Sequence, residues 1–185
     1  MPSIFITGPV RSGKSRFAER LARERGGDVT YVATARFDPD DAEWCERIAH
    51  HAAGRPAHWK LVETARSNAP SLEAVARDAG ASQTLIVDSF GTWLAAQMTP
   101  ETDMAALAES ARCVADALVS TRAHAIVVGE EVGWGIVPAY PAGRTFRDVL
   151  GRTQQRLAAG SVSTYLVVAG FALDLRRSAE LVDRL

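Results

Sequence analysis

The chain has 185 residues, with 21 basic and 22 acidic side chains and a formal net charge of -1. That length fits one domain of ordinary size, so we treat residues 1–185 as a single unit. Hydrophobic residues make up 47% and charged residues 23%, which is typical of a globular protein and excludes a disordered or fibrous chain. Without an excess of positive charge, a nucleic acid is not an expected partner.

The cysteines and the apolar runs exclude further classes of protein. Cys45 and Cys113 are the two cysteines, and their separation excludes a disulfide framework and a CxxC metal site. The apolar run before Gly8 is too short for a signal-peptide core, and no stretch approaches the ~18 apolar residues of a membrane helix. We therefore expect a cytoplasmic protein without stable membrane insertion.

Predicted strands and helices alternate along the chain. Apolar, β-branched runs indicate strands, whereas spaced apolar residues between capping and breaking signals indicate helices. In chain order we predict strand Ile4–Thr7, helix Lys14–Arg25, strand Asp28–Ala33, helix Ala42–Ala53, helix Ser71–Ala79, strand Gln83–Asp88, helix Met104–Val119, strand Ala123–Val128, a loop from Gly129 to Arg144, helix Phe146–Ala159 and strand Thr164–Ala169. This order predicts a mainly parallel sheet covered by helices on both faces, with ligands at the carboxyl ends of the strands.

The segment between the first strand and the first helix matches the phosphate-binding pattern G-x-x-x-x-G-K-[ST]. Its members are Gly8, Pro9, Val10, Arg11, Ser12, Gly13, Lys14 and Ser15. Glycines let main-chain N–H groups converge on phosphate oxygens, and the helix N-terminus adds positive potential. Lys14 is expected to neutralise the β/γ-phosphate charge and Ser15 to bind Mg²⁺. The motif predicts an α/β, P-loop NTPase-like three-layer domain, the alternative being a glycine-rich turn with a surface lysine.

Two other groups of residues are candidates for the site. Asp88 ends a predicted strand, where it could hold magnesium through water, bind the nucleotide, or cap a helix. Arg47, His51 and Arg55 are spaced by four and would line one helix face. An imidazole between two guanidinium groups suits attack on phosphorus, although spacing alone favours a solvated helix face. His50 is expected to be structural.

Charged residues near the predicted loop from Gly129 to Arg144 are weaker candidates. They either contact an anionic acceptor or are ordinary surface charges, and spacing does not decide between the two. This set comprises Glu130, Glu131, Arg144, Arg147 and Arg152.

Five segments in order carry a resemblance to a known family. They are GPVRSGKS at 8–15, YVATA at 31–35, RIAHHAAGRPAHW at 47–59 followed by Glu63, EVGWGIVP at 131–138 and FRDVLGRTQQRLA at 146–158. The chain resembles the bifunctional adenosylcobinamide kinase/adenosylcobinamide-phosphate guanylyltransferase family of cobalamin synthesis. Its H-x-x-x-R-P element, followed by tryptophan and glutamate, is more specific than a phosphate loop.

The resemblance implies two reactions on one corrinoid substrate. ATP or GTP phosphorylates adenosylcobinamide, and GMP from GTP is then transferred through a guanylylated histidine to give adenosyl-GDP-cobinamide. Matching to the family motif assigns the nucleophile to His51, four residues before Arg55, which overturns the preference for a solvated helix face. Lys14 is the other implied catalytic residue. A homo-oligomer, expected to be a trimer, is also implied.

The same matching implies the nucleotide contacts. Besides the phosphate loop they are Ala33, Thr34, Ala35, Ala52, Ala53, Gly54, Arg55, Glu63 and Asp88. The chain departs from the usual family pattern at Pro9 and Val10, at Glu130 in place of asparagine, and at Gln154 in place of asparagine. Two rival functions stay open: a small-molecule kinase in which His51 is structural, and a GTP-dependent switch protein.

Overall fold

A computed structural model describes residues 3–36, 39–43, 45–46, 48 and 54–182. Its elements in chain order are β1 (Ile4–Thr7), α1 (Lys14–Arg25), β2 (Asp28–Ala33), β3 (Lys60–Glu63), α2 (Leu72–Asp78), β4 (Gln83–Asp88), α3 (Phe90–Ala96), α4 (Met104–Ser120), β5 (His124–Val128), α5 (Pro141–Gly160), β6 (Ser163–Val168), β7 (Phe171–Asp174) and α6 (Leu175–Ser178). In the described part of the chain, no helix is both long and apolar enough to cross a membrane.

The strands form one seven-stranded sheet in the order β3-β2-β4-β5-β1-β6-β7. All neighbouring pairs are parallel except β6 and β7, which are antiparallel. Apolar strands in a parallel sheet need cover on both faces. Successive residues of a strand point to opposite faces of the sheet. In β1, Phe5 packs in one apolar cluster and Ile6 in another, so both faces of the sheet are covered. The predicted three-layer α/β fold is confirmed.

The two clusters divide the helices between the faces of the sheet. The cluster around Phe5 includes Leu72 of α2, Phe90 of α3, Leu118 of α4 and Leu150 of α5. The cluster around Ile6 includes residues of α1 such as Ala18 and Ala22. Helix α1 therefore packs on the face opposite to α2, α3, α4 and α5, and it begins directly at the candidate phosphate loop.

The predicted bounds of several elements are wrong. Helix α5 begins at Pro141, not at Phe146, and it is 20 residues long with proline in its first turn. The predicted loop that starts at Gly129 therefore ends at Tyr140. The prediction also missed β3, α3, β7 and α6. The helix predicted over Ala42–Ala53 is helical at residues 42, 43, 45, 46 and 48, and its other positions lie outside the described residues.

The turn between β6 and β7 is a tight two-residue connection. Ala169 and Gly170 both have positive φ, at 49° and 84°, as a type I′ turn requires. The Gly170 N–H donates to the Ser12 carbonyl oxygen at 3.0 Å. The hairpin therefore supports the phosphate loop from the side of β6.

Candidate active site

The loop between β1 and α1 has a backbone conformation that suits glycine. Gly8 has φ 152° and Gly13, the N-cap of α1, has φ 102°. A Cβ atom added to Gly8 would lie 2.1 Å from the Val167 carbonyl oxygen. The sheet therefore excludes any side chain at Gly8, and the loop stays close to the end of β6.

Two polar side chains of this loop are buried. The Lys14 ammonium donates to the Pro9 carbonyl oxygen at 2.9 Å, so it lies against the loop. The Ser12 hydroxyl oxygen is also buried, and no described residue forms a hydrogen bond with it. Buried hydroxyls normally have a partner. An unpaired hydroxyl within a phosphate-loop sequence suits an oxygen-rich ligand such as a triphosphate.

The sheet register brings the other candidate positions to one edge. Ala33 pairs with Glu63 on β3 and with Asp88 on β4. Asp88 in turn pairs with Val128 of β5, which pairs with Ile6 of β1. Since β1 leads into the phosphate loop, these strand ends line a single row beside it.

Asp88 has a hydrogen-bond partner that the sequence analysis did not predict. The Tyr31 hydroxyl donates to Asp88 Oδ2 at 2.5 Å, and the Arg55 guanidinium lies 4.2 Å from the centroid of the Tyr31 ring. Burial and the neighbouring Asp88 carboxylate raise the pKa of Tyr31 far above its ordinary value. Tyr31 therefore stays protonated and acts as a donor to Asp88 at neutral pH.

The start of α3 is fixed by a hydroxyl network. Ser89 caps the helix by accepting from the Thr92 N–H at 3.3 Å, and the Ser89 N–H donates to the Thr92 hydroxyl at 3.1 Å. The buried Thr34 hydroxyl donates to the Ser89 carbonyl oxygen at 2.7 Å. Thr34, predicted as a nucleotide contact, thus joins the ends of β2 and β4. Ser89, rather than Asp88, caps this helix.

Glu130 directs its carboxylate to the same network. Its oxygens accept from the Ser89 hydroxyl and, at 2.9 Å, from the Gly91 N–H. Removal from water raises the pKa of Glu130, an effect that the Ser89 hydrogen bond and the Lys14 charge oppose. Gln154 donates to the Glu130 carbonyl oxygen at 2.8 Å. Two positions that depart from the family pattern are therefore in direct contact.

A nucleotide-bound Mg²⁺ fits the oxygen donors of this edge. The Ser15 hydroxyl at the start of α1 and the Asp88 carboxylate are hard ligands, and Mg²⁺ usually adds phosphate oxygens and waters to one or two such groups. Clusters of three or more His, Cys, Asp or Glu side chains that could hold a metal do not occur among the described residues.

Of the site positions predicted between Arg47 and Arg55, the structure describes Gly54 and Arg55. Arg47, His51, Ala52 and Ala53 lie outside the described residues. The Gly54 carbonyl oxygen accepts from Arg23 of α1 at 2.9 Å. At the end of β3, Glu63 pairs with Arg66 at 2.8 Å. The positions after the predicted nucleophile are therefore in contact with the helix that carries Lys14.

The stretch from 129 to 140 leaves the end of β5 and stays close to the phosphate loop. The Glu131 N–H donates to the Gly8 carbonyl oxygen at 3.0 Å. Arg147 donates to the carbonyl oxygens of Ile136 and Gly133, at 3.0 and 2.7 Å, and Arg144 likewise contacts two carbonyl oxygens of the stretch. Both arginines thus fix this backbone from α5.

Comparisons with known proteins agree with the motifs. The family model described as cobinamide kinase / cobinamide phosphate guanyltransferase matches residues 4–175. The bifunctional adenosylcobalamin biosynthesis protein CobP of Pseudomonas aeruginosa is 36% identical over 171 residues, which cover 92% of this chain and 95% of that protein. The bifunctional adenosylcobalamin biosynthesis protein CobU of Salmonella typhimurium is 35% identical over 185 residues, covering 94% of this chain and 99% of that protein.

Solved structures with similar folds are much more distant in sequence. The assembled ATPase EscN of the enteropathogenic E. coli type III secretion system has a TM-score of 0.51 at 16% identity, and the match covers 96% of this chain and 44% of EscN. Project ID PH0250 from Pyrococcus horikoshii has a TM-score of 0.53 at 7% identity, with coverage of 100% and 93%. These matches support the fold alone.

Proposed function

The chain belongs to the cobinamide kinase / cobinamide phosphate guanyltransferase family, and we propose that it catalyses both reactions on adenosylcobinamide, with residues 1–185 acting as one catalytic domain. The observation that carries the proposal is the family match over residues 4–175, in a chain whose phosphate loop lies at the same edge of the sheet as the ends of β2 and β4. The substrates are a corrinoid and a purine nucleoside triphosphate.

In the kinase reaction, the loop from Gly8 to Ser15 holds the triphosphate of ATP or GTP. The acceptor hydroxyl oxygen forms a bond to the γ-phosphorus, the bond to the β–γ bridging oxygen breaks, and the hydroxyl proton is released. Phosphoryl transfer needs positioning and charge stabilisation more than covalent chemistry. Lys14 supplies a positive charge at the phosphates, and Ser15 and Asp88 would hold Mg²⁺, which when bound neutralises charge on the phosphate oxygens.

In the guanylyltransferase reaction, we assign the nucleophile to His51. Its imidazole nitrogen forms a bond to the α-phosphorus of GTP and pyrophosphate leaves. A phosphate oxygen of adenosylcobinamide phosphate then forms a bond to the same phosphorus, and the histidine is released. Arg55 is suited to stabilise charge on the phosphate oxygens during both steps. Ala33, Ala35, Gly54 and Glu63 complete the proposed nucleotide site, together with Ala52 and Ala53.

Retention of label from GTP tests the proposal. Incubation with GTP labelled at the α-phosphate should leave GMP on the protein in an acid-labile, base-stable linkage. His51→Ala should abolish this label and retain phosphorylation of adenosylcobinamide. The matched control is His58→Ala, because His58 is an exposed histidine seven positions away. Label that persists in His51→Ala would contradict the assignment.

The same experiment separates the rival functions. Phosphorylation of the corrinoid without any retained label would indicate a kinase alone. A protein that transfers nothing to a corrinoid, yet binds GTP and GDP with different affinity, would indicate a nucleotide-dependent switch.

A further inference from the structure

We propose that Tyr31 is a positioning residue that holds Arg55 and Asp88 in one geometry, through its ring on the Arg55 guanidinium and its hydroxyl on the Asp88 carboxylate. The inference rests on the proposed function, because it assigns the hydroxyl of Tyr31 to the kinase reaction and the ring to the guanylyltransferase reaction. Tyr31 lies in the middle of β2 and is 3% exposed.

The hydroxyl is the first half of this connection. Tyr31 Oη lies 2.5 Å from Asp88 Oδ2, and both residues lie on neighbouring parallel strands near their carboxyl ends. Phenylalanine would fill the same buried volume, so packing does not require the oxygen atom. The hydrogen bond fixes the orientation of the Asp88 carboxylate, which is a proposed ligand of Mg²⁺ in the kinase reaction.

The ring is the second half. The Arg55 guanidinium lies 4.2 Å from the ring centroid, within the range of a cation–π contact. Arg55 is the residue proposed to stabilise charge on the phosphate oxygens in the guanylyltransferase reaction, so a contact that fixes its guanidinium positions a group of that reaction.

A second contact holds the same short stretch from the other side. Arg23 of α1 donates to the Gly54 carbonyl oxygen at 2.9 Å, and its guanidinium lies 5.5 Å from the centroid of the Trp59 ring. Helix α1 begins with Lys14 and Ser15. Residues 54–55 are therefore held between the helix of the phosphate loop and the tyrosine that contacts Asp88.

Because the ring and the hydroxyl contact different partners, two substitutions separate their roles. Tyr31→Phe keeps the ring under Arg55 and loses the hydrogen bond to Asp88. Tyr31→Leu loses both. The full-length protein is used for two measurements: the rate of label transfer from α-labelled GTP to the protein, and kcat and KM for phosphorylation of adenosylcobinamide.

We expect Tyr31→Phe to lower kcat for phosphorylation about tenfold, the effect of losing one hydrogen bond to a charged group. The rate of label transfer should fall by less than about threefold in the same variant, because the cation–π contact remains. Tyr31→Leu should lower both rates about tenfold or more. Tyr31→Phe should therefore keep most of the rate of label transfer and lose most of the rate of phosphorylation. Loss of packing alone would not give this difference.

The control is Tyr165→Phe, because Tyr165 packs edge-on against Phe17 away from Asp88. It should leave both rates unchanged, and thermal unfolding of each variant should show a folded protein. If Tyr31→Leu does not fold, the difference between the two rates of Tyr31→Phe tests the proposal by itself. Equal losses in both rates of Tyr31→Phe, or no loss in either rate of that variant, would overturn the role of Tyr31 while the wild type stays active. A wild type inactive in both assays would overturn the proposed function and this inference with it.

Discussion

Lys14 carries its charge in a buried position, with its ammonium on the Pro9 carbonyl oxygen at 2.9 Å. Burial of a charged group costs free energy unless a ligand or a partner compensates the charge. Here the loop places it where the phosphates of a nucleotide are expected to bind. A side chain of the same length without charge would fill the space and leave the phosphates unneutralised.

We therefore expect Lys14→Met to lower kcat/KM for phosphorylation of adenosylcobinamide by about 10²- to 10³-fold, as for other preorganised electrostatic contacts. Steady-state kinetics measure this effect. Lys60→Met is the matched control, because Lys60 is the other lysine of the chain and is exposed on β3. Turnover that survives in Lys14→Met would exclude the phosphate loop as the triphosphate site.

We expect Glu130 to make the stability of the protein depend on pH. Its pKa is raised above the ordinary value of 4.5, chiefly by removal from water. The stability contributed by the neutral carboxyl is therefore fully present below pH 4.5 and is lost as the pH rises through the raised pKa.

Glu130→Gln removes this titration and keeps the size of the side chain. We expect the free energy of unfolding of the variant, relative to the wild type, to increase as the pH is raised from about 5 to about 8. Urea unfolding at several pH values measures the difference. A difference that stays constant, or that changes in the opposite direction, would show that the Glu130 carboxyl is not destabilised by burial.

The phosphate loop depends on close contact between elements. Gly8 lies against the end of β6, and Gly170 of the β6–β7 turn donates to Ser12. Gly8→Ala would place a methyl group 2.1 Å from a carbonyl oxygen of the backbone, which the sheet does not allow without movement.

We expect Gly8→Ala to lower the free energy of unfolding by about 2 kcal/mol or more and to weaken triphosphate binding. Gly151→Ala is the matched control, since Gly151 lies within α5 and a Cβ there has no atom within 4 Å. It should stabilise the protein by about 0.5–1 kcal/mol. Denaturant unfolding measures both changes, and equal effects of the two substitutions would contradict the close contact at Gly8.

Most of the elements could be predicted because their signals are local. The apolar runs of β1, β2, β4 and β5 and the glycine loop before α1 each lie within a short window. Strand β3 has four residues, none of them buried, so its pairing with β2 leaves no apolar pattern. Helix α3 has seven residues and depends on the reciprocal bonds of Ser89 and Thr92. It is therefore shorter than the window of about 11–18 residues over which a helical period is recognised.

The candidate site likewise contains positions that local motifs predict and one contact that they do not. Motifs predict the phosphate loop and Asp88 as site residues, because a strand end beside a glycine loop is visible in the sequence. Tyr31 was not identified as a contact of Asp88, because the two residues are 57 positions apart and meet through the pairing of β2 with β4. The role of His51 stays a prediction from the family motif.

At the scale of the whole molecule, the end of the sheet at β7 carries a large exposed apolar surface. Phe171 is 81% exposed, and Val168 and Leu173 are exposed beside it. In the described part of the chain, β7 pairs with β6 alone. Exposed apolar patches and open strand edges favour association. We therefore expect this surface to contribute to association between copies of the chain.

Phe171→Glu should weaken this association, because it places a charge on the apolar surface. Sedimentation velocity over a range of protein concentrations measures the oligomeric state. Val182→Glu serves as the control, because Val182 is equally accessible and lies outside the sheet. A Phe171→Glu protein that associates as strongly as the wild type would place the subunit contact elsewhere.

The hydrogen bond from Gly170 to the Ser12 carbonyl oxygen has one further consequence. Any rearrangement of the glycine loop when a triphosphate binds is therefore expected to strain or shift the adjoining hairpin. An environment-sensitive dye attached at residue 172 would therefore serve as an optical sensor of triphosphate occupancy, without labelling any group that takes part in the chemistry.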